Sequence, residues 1–177
     1  MNKKDKNDLR LRSLSWGDYQ ITEHRFRELK EFALQYDEKK RGVREATSCS
    51  TPTINLEPRG RSSYTTSPTE AAAIRNILRT ERLERDIFMI EDAAAFAADV
   101  AGYPDAAGIV LASITKGLGF DAILAWAAAR DVFVPWSSPD FYAVRRAAFY
   151  RLDRLQIAEK ERRLKKQEKL KGENDDG

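Results

Sequence analysis

The segment Ser137-Ser138-Pro139-Asp140-Phe141-Tyr142-Ala143-Val144-Arg145-Arg146-Ala147-Ala148-Phe149-Tyr150-Arg151-Leu152-Asp153 opens with the signals of a helix start. A serine cap precedes a proline, whose missing N–H costs nothing in the first turn, and an acid that the helix dipole favours. At roughly 100° per residue, Phe141, Val144, Ala148, Leu152 and Leu155 fall on one side and are expected to be buried. Tyr142, Arg146, Phe149, Tyr150 and Asp153 occupy another sector, expected to be the helix's free, solvent-facing side, with Arg145 at its edge. The helix is expected to run past Leu155, through Leu164 and Leu170, and to dissolve at Gly172.

Working back along the chain, Phe120 to Arg130 predicts a short helix with Phe120, Ile123, Leu124 and Ala127 on one face. Pro104 to Lys116 predicts another, closed by Gly117, with Ile109, Val110 and Ile114 inward. Two short helices and a longer basic one form the plan of a helix-turn-helix DNA reader, although Asp131 to Ser138 is long for its turn. A bundle with a solvated basic helix fits the same spacing. Trp136, in that turn, is expected in the core rather than on a base or sugar.

The same start signal occurs at Ser67-Pro68-Thr69-Glu70, where Glu70 completes a capping box. A long helix is predicted from there, with an apolar seam of Ile74, Ile77, Leu78, Leu83, Ile87, Ile90, Ala94 and Ala97, ending near Gly102-Tyr103-Pro104. Before it, Gly42 to Ser67 is rich in Ser, Thr, Pro and Gly and reads as linker. Leu14 to Arg41 reads as an amphipathic helix through Phe26, Leu29, Ala33 and Tyr36, with Lys30 on another face; after so long a linker it is expected to be an arm or partner interface. No strand alternation is present. The expected fold class is all-α: an N-terminal helix (1–41), a flexible linker (42–66), and a helical DNA-binding-type domain (67–157). That domain joins the long helix to a C-terminal helix-turn-helix-like three-helix unit, and a charged tail (158–177) follows.

Composition narrows the chemistry. The 177 residues carry a net charge of +3, which names no partner, but its distribution does more. Ser67 to Asp105 holds four bases against eight acids, whereas Pro139 to Lys171 holds eleven against five. One cysteine, Cys49, and one histidine, His24, exclude a disulfide framework and a Cys/His metal cluster within the chain. His24 lies among charged residues and reads as a surface histidine. Gly117-Leu118-Gly119 lacks the third glycine and the preceding strand of a nucleotide loop. Glu91 and Asp92 are adjacent, so they do not share a helix face as an acid–base pair would. No catalytic set, metal site or cofactor is expected. The first residues have no apolar run behind their charges, and the longest apolar stretch is broken by Lys116, Gly117, Gly119 and Asp121, so neither a secretory signal nor a membrane span is expected. A cytoplasmic protein follows from this reading.

In a helix-turn-helix, arginines of the last helix can pair with guanine, while Ser137, Ser138 and the backbone donors beside them can hold phosphate. Arg151, Arg154 and Lys160 are phosphate candidates further along. The tail from Ala158 to Lys171 has few apolar anchors and reads equally as a phosphate-tracking helix or a solvated one. Dimerisation through the long helix is expected, since paired half-sites raise affinity.

A resemblance adds to this. Pro68-Thr69-Glu70, Arg75-Asn76-Ile77, Arg82-Leu83-Glu84-Arg85-Asp86-Ile87 and Ile90-Glu91 resemble small proteins of phages and prophages of Gram-positive bacteria. So do Ile114-Thr115-Lys116-Gly117-Leu118-Gly119-Phe120, Val134-Pro135 and Phe141 to Asp153. The chain from Ser67 to about Leu155 is similar to late-gene transcriptional regulators of the ArpU/RinA type and to sigma-factor region 4. That resemblance implies a bacterial host, double-stranded DNA as partner, contact with RNA polymerase, and a recognition helix that puts Tyr142, Arg145 and Arg146 at the DNA. From a different class, a DNA-packaging or assembly protein, such as a small terminase-like oligomer, fits the long helices.

Overall fold

The computed structural model describes residues 11–48 and 68–175. The fold is all-helical, with no strand among the described residues. The helices are α1 (Glu23–Leu34), α2 (Tyr36–Ser48), α3 (Pro68–Val100), a single 3-10 turn (Pro104–Ala106), α4 (Ala107–Lys116), α5 (Phe120–Ala128) and α6 (Ser138–Asp175). The chain divides into two units, Met1–Gln35 with Met89–Gly177, and Tyr36–Phe88.

In the larger unit α1 packs on α4 and α6, and α4 also meets α5 and the 3-10 turn. The core is built from Leu29 and Ala33 of α1, Ile90, Ala94 and Ala97 of α3, Ile109 and Ile114 of α4, Ile123 of α5, and Phe141, Ala148, Phe149 and Leu152 of α6. Burying each large apolar side chain contributes about 1.5–3 kcal/mol. The alanines at 93, 94, 97 and 98 are all buried. Trp136 is buried with its ring edge-on to Tyr103 at 5.9 Å, the core position expected of it.

The first predicted helix is corrected at both ends. Residues 14–22 form turns rather than helix: Ser15 N–H and Oγ both donate to Asp18 Oδ2 at 2.7 Å, and Gln20 has a positive φ of 57°. Short polar side chains that bind nearby backbone compete with helix formation in this way. The helix starts instead at Glu23, where Thr22 Oγ1 accepts the Arg25 N–H at 3.2 Å. It breaks at Gln35, and α2 then carries helix to Ser48, past the point where the linker was expected to begin.

Gly42 does not end α2, because it serves packing in the smaller unit. A Cβ there would lie 3.0 Å from Leu83 Cδ1 on α3. In the same unit Lys39 Nζ donates to Asp86 Oδ2 at 3.1 Å from an almost buried position. The expected Ser67 cap, the linker from Cys49 onward and the first ten residues lie outside the described residues.

The expectation that the first helix is an arm fails for α1, whose Leu29 and Ala33 are fully buried within the larger unit. The remaining predicted elements form. Val100 ends α3 just before Gly102, which has φ 81°, and α4 ends at Gly117 with φ 66°. The last helix begins at Ser138, passes residue 158 without a break and, contrary to the end expected at Gly172, continues to Asp175; a single glycine lowers helix propensity by about 1 kcal/mol and need not stop a helix. Among the described residues no helix is long and apolar enough to cross a membrane.

Candidate nucleic-acid interface

The last helix, α6, starts at Ser138, where the sequence anticipates a helix start. Phe141 N–H donates to the Ser137 carbonyl at 2.9 Å, and Ser137 Oγ donates to the Asp140 carboxylate. Arg12 also pairs with Asp140, so the helix N-terminus already faces a carboxylate. The hydrogen bond from Arg12, helped by those from Ser137, holds the Asp140 carboxyl below the usual aspartate range against its partial burial. Ser137 is exposed and Ser138 half-buried.

The predicted free face of α6 is not free. Phe149 is fully buried, edge-on to Phe26 at 5.1 Å, and Tyr150 lies 4.8 Å from Tyr19. Asp153 is also buried and accepts from Arg25 Nε at 2.7 Å. The sector read as solvent-facing is the seat of α1 and the turns before it. Two aromatic rings and an aspartate within that sector form a second packing surface.

What stays open is a groove of about 370 Å³ lined by Trp16, Phe26, Lys30, Tyr142, Arg145 and Arg146. It brings together Tyr142, Arg145 and Arg146, three of the residues singled out from the sequence. Tyr142 is 40% exposed, and its hydroxyl accepts weakly from the Phe120 N–H at 3.4 Å. Arg145 Nη1 donates to the Leu118 carbonyl at 3.3 Å, while its Nε is buried without a hydrogen-bond partner among the described residues. Burial lowers the Arg145 pKa. Arg146 Nε donates to the Leu14 carbonyl at 3.1 Å. Both guanidinium groups are therefore held by neutral acceptors and have no carboxylate partner among the described residues.

Trp16, Phe26 and Lys30 were not anticipated at the site. Phe26 and Lys30 are four apart and so share a face of α1, a signal the sequence carried, although Lys30 was assigned elsewhere. Trp16 reaches the groove only because residues 14–22 turn back on α6, which no periodicity announces.

The other candidates lie apart. Arg151 Nε donates to Asp92 Oδ2 at 2.8 Å and its guanidinium lies over the Phe96 ring, so it ties α6 to α3. Arg154 is exposed over the Tyr150 ring at 5.2 Å, and Lys160 is exposed on the outer part of α6. A three-residue turn, Gly117-Leu118-Gly119, joins α4 to α5, whereas residues 129–137 separate α5 from α6. Asp131, within the longer connection, has a positive φ of 54°. His24 is exposed beside Glu28, 3.4 Å from its carboxylate. Compared with protein-family models, curated proteins and solved structures, the chain matches none.

Proposed function

We propose that the chain is a phage or prophage transcriptional regulator that binds double-stranded DNA through the start of α6. One observation carries the reading: Lys30, Arg145 and Arg146 line one open groove, with no carboxylate in its lining among the described residues. Cations placed this way attract phosphate and steer a polyanion toward Tyr142 at the rim. The reading includes pairing of two copies on two half-sites, contact with RNA polymerase and a bacterial cytoplasm as its setting.

The test is fluorescence anisotropy of the full chain on fragments of its own genome, especially those flanking packaging genes. A preferred fragment, a steep fall of affinity with salt and a loss on Arg146→Gln are expected. Binding that ignores salt, or that is unchanged by Arg146→Gln and Lys30→Gln together, would overturn the reading.

A second reading, an oligomeric DNA-packaging or assembly protein, is favoured by a different observation. Ile74, Ile77, Leu78 and Phe88 recur on one face of α3 and are 47–62% exposed. Mass in solution separates the two, since a closed ring of many copies belongs to assembly and a dimer to the regulator.

A further inference from the structure

We propose that the groove of Trp16, Phe26, Lys30, Tyr142, Arg145 and Arg146 is a nucleotide pocket, with a planar base against the aromatic wall and its phosphate among the three cations. It shares residues with the duplex-binding reading but does not depend on it. A duplex keeps its bases stacked inside a convex rod, whereas this groove is concave and rewards a base that is free of its stack.

Size, wall and charge each point the same way. At about 370 Å³ the groove lies within the range of small-molecule pockets, roughly 300–1,000 Å³. Its wall is held in place: Trp16 and Phe26 have centroids 4.4 Å apart, and Phe26 is braced edge-on against the buried Phe149. An aromatic wall gives a base a stacking surface whatever its identity.

The groove's arginines have no carboxylate partner among the described residues. Arg12, Arg25 and Arg151 each reach a carboxylate, but Arg145 and Arg146 are held by the carbonyls of Leu118 and Leu14. A half-buried guanidinium with no counter-ion among the described residues is costly, and an arriving phosphate offsets that cost with charge-assisted hydrogen bonds. Inorganic phosphate would use the cations and leave the rings idle, and an acidic peptide would do the same. A nucleotide uses both. It can come free or as an unstacked residue of a single strand.

Calorimetric titration of the full chain with AMP, adenosine, inorganic phosphate and a short single-stranded oligodeoxyadenylate tests the assignment. AMP is expected to bind saturably, with adenosine and phosphate each weaker by about tenfold or more. Lys30→Gln and Arg146→Gln should each weaken AMP by about tenfold. Lys30→Gln should leave the unfolding midpoint where it was, because Lys30 makes no hydrogen bond or ion pair among the described residues. An oligomer that binds more tightly than AMP identifies the strand as the source, and AMP at least as tight identifies the free nucleotide. No saturable binding of either, phosphate as tight as AMP, or AMP affinity unchanged in both variants would overturn the pocket. Duplex anisotropy on the same samples keeps the two readings apart, since either can fail while the other holds.

Discussion

Arg25 Nε on α1 donates to Asp153 Oδ1 on α6 at 2.7 Å, and Arg25 Nη2 reaches Gln156 beside it at 2.8 Å. Burial works against the Arg25 charge, but the bonds to Asp153 and Glu28 outweigh it and raise its pKa above the ordinary arginine value. The Asp153 side chain is 9% exposed and that of Arg25 31%, so the pair is shielded at one end only. Removing the carboxylate leaves a partly buried guanidinium. Asp153→Ala is therefore expected to destabilise the protein by about 2–3 kcal/mol in urea unfolding, below the cost of breaking a fully buried pair. A cost under about 0.5 kcal/mol, the size of an ordinary surface change, would contradict the docking of α1 on α6.

Gly117 is expected to be sensitive for a backbone reason. Its φ of 66° is the left-handed region, and a Cβ there would meet only Leu34 Cδ2 at an ordinary 3.5 Å. Space is thus not the obstacle, and Gly117→Ala should cost about 1–2 kcal/mol from conformation alone. Gly117→Asn should cost less, because asparagine tolerates this region. The turn also presents the Leu118 carbonyl, which accepts from both Ser113 Oγ at 3.0 Å and Arg145 Nη1 at 3.3 Å. Urea midpoints of the two variants check the order, and equal costs would sink the backbone explanation.

Much of this architecture was legible because punctuation is local. Pro139 and Asp140 announced the start of α6, and Gly102 and Gly117 announced two ends, each through a property of one residue. The inward faces at Ile109, Ile114, Ile123 and Phe141 were legible for a related reason, since helical spacing alone sorts them. What escaped was long-range. Whether Phe149 and Asp153 face water or another helix depends on α1, far away in sequence, and amphipathic spacing is blind to a second buried face. The groove escaped in half: Arg145 and Arg146 stood out as adjacent cations on a basic helix, while Trp16 arrives through a turn stabilised by Ser15 and Asp18. Gly42 misled because a glycine chosen for close packing looks, in sequence, like one chosen to end a helix.

The Asp140 clasp sets a pH dependence. Arg12 first, and then Ser137, lower its folded-state pKa below the unfolded value of 3.8. A group whose folded pKa is depressed contributes stability that is fully present above its unfolded pKa and is lost as pH falls through the folded one. Stability should therefore decline as pH drops below about 4, and Asp140→Asn should make that decline shallower while lowering stability at neutral pH. Urea midpoints at pH 7, 5, 4 and 3 check this. An Asp140→Asn profile parallel to that of the parent chain would remove Asp140 from the acid response.

Three cations of α6 should behave differently on DNA because their surroundings differ. Arg146 lines the groove with no carboxylate partner among the described residues, so Arg146→Gln is expected to cost about 1–3 kcal/mol of duplex affinity. Lys160 is exposed far along the helix, where it can meet only phosphate. Lys160→Gln should weaken all duplexes alike and reduce the salt slope by about one. Arg151 is already occupied by Asp92 and stacked over Phe96. Arg151→Gln should leave duplex affinity within about twofold and appear instead as a small loss of stability, about 1 kcal/mol or less, since its side chain is 38% exposed. Anisotropy across a salt series, run beside unfolding curves, separates the three. If Arg151→Gln cost as much duplex affinity as Arg146→Gln, the contact surface would lie on the α3 side of α6 rather than at the groove.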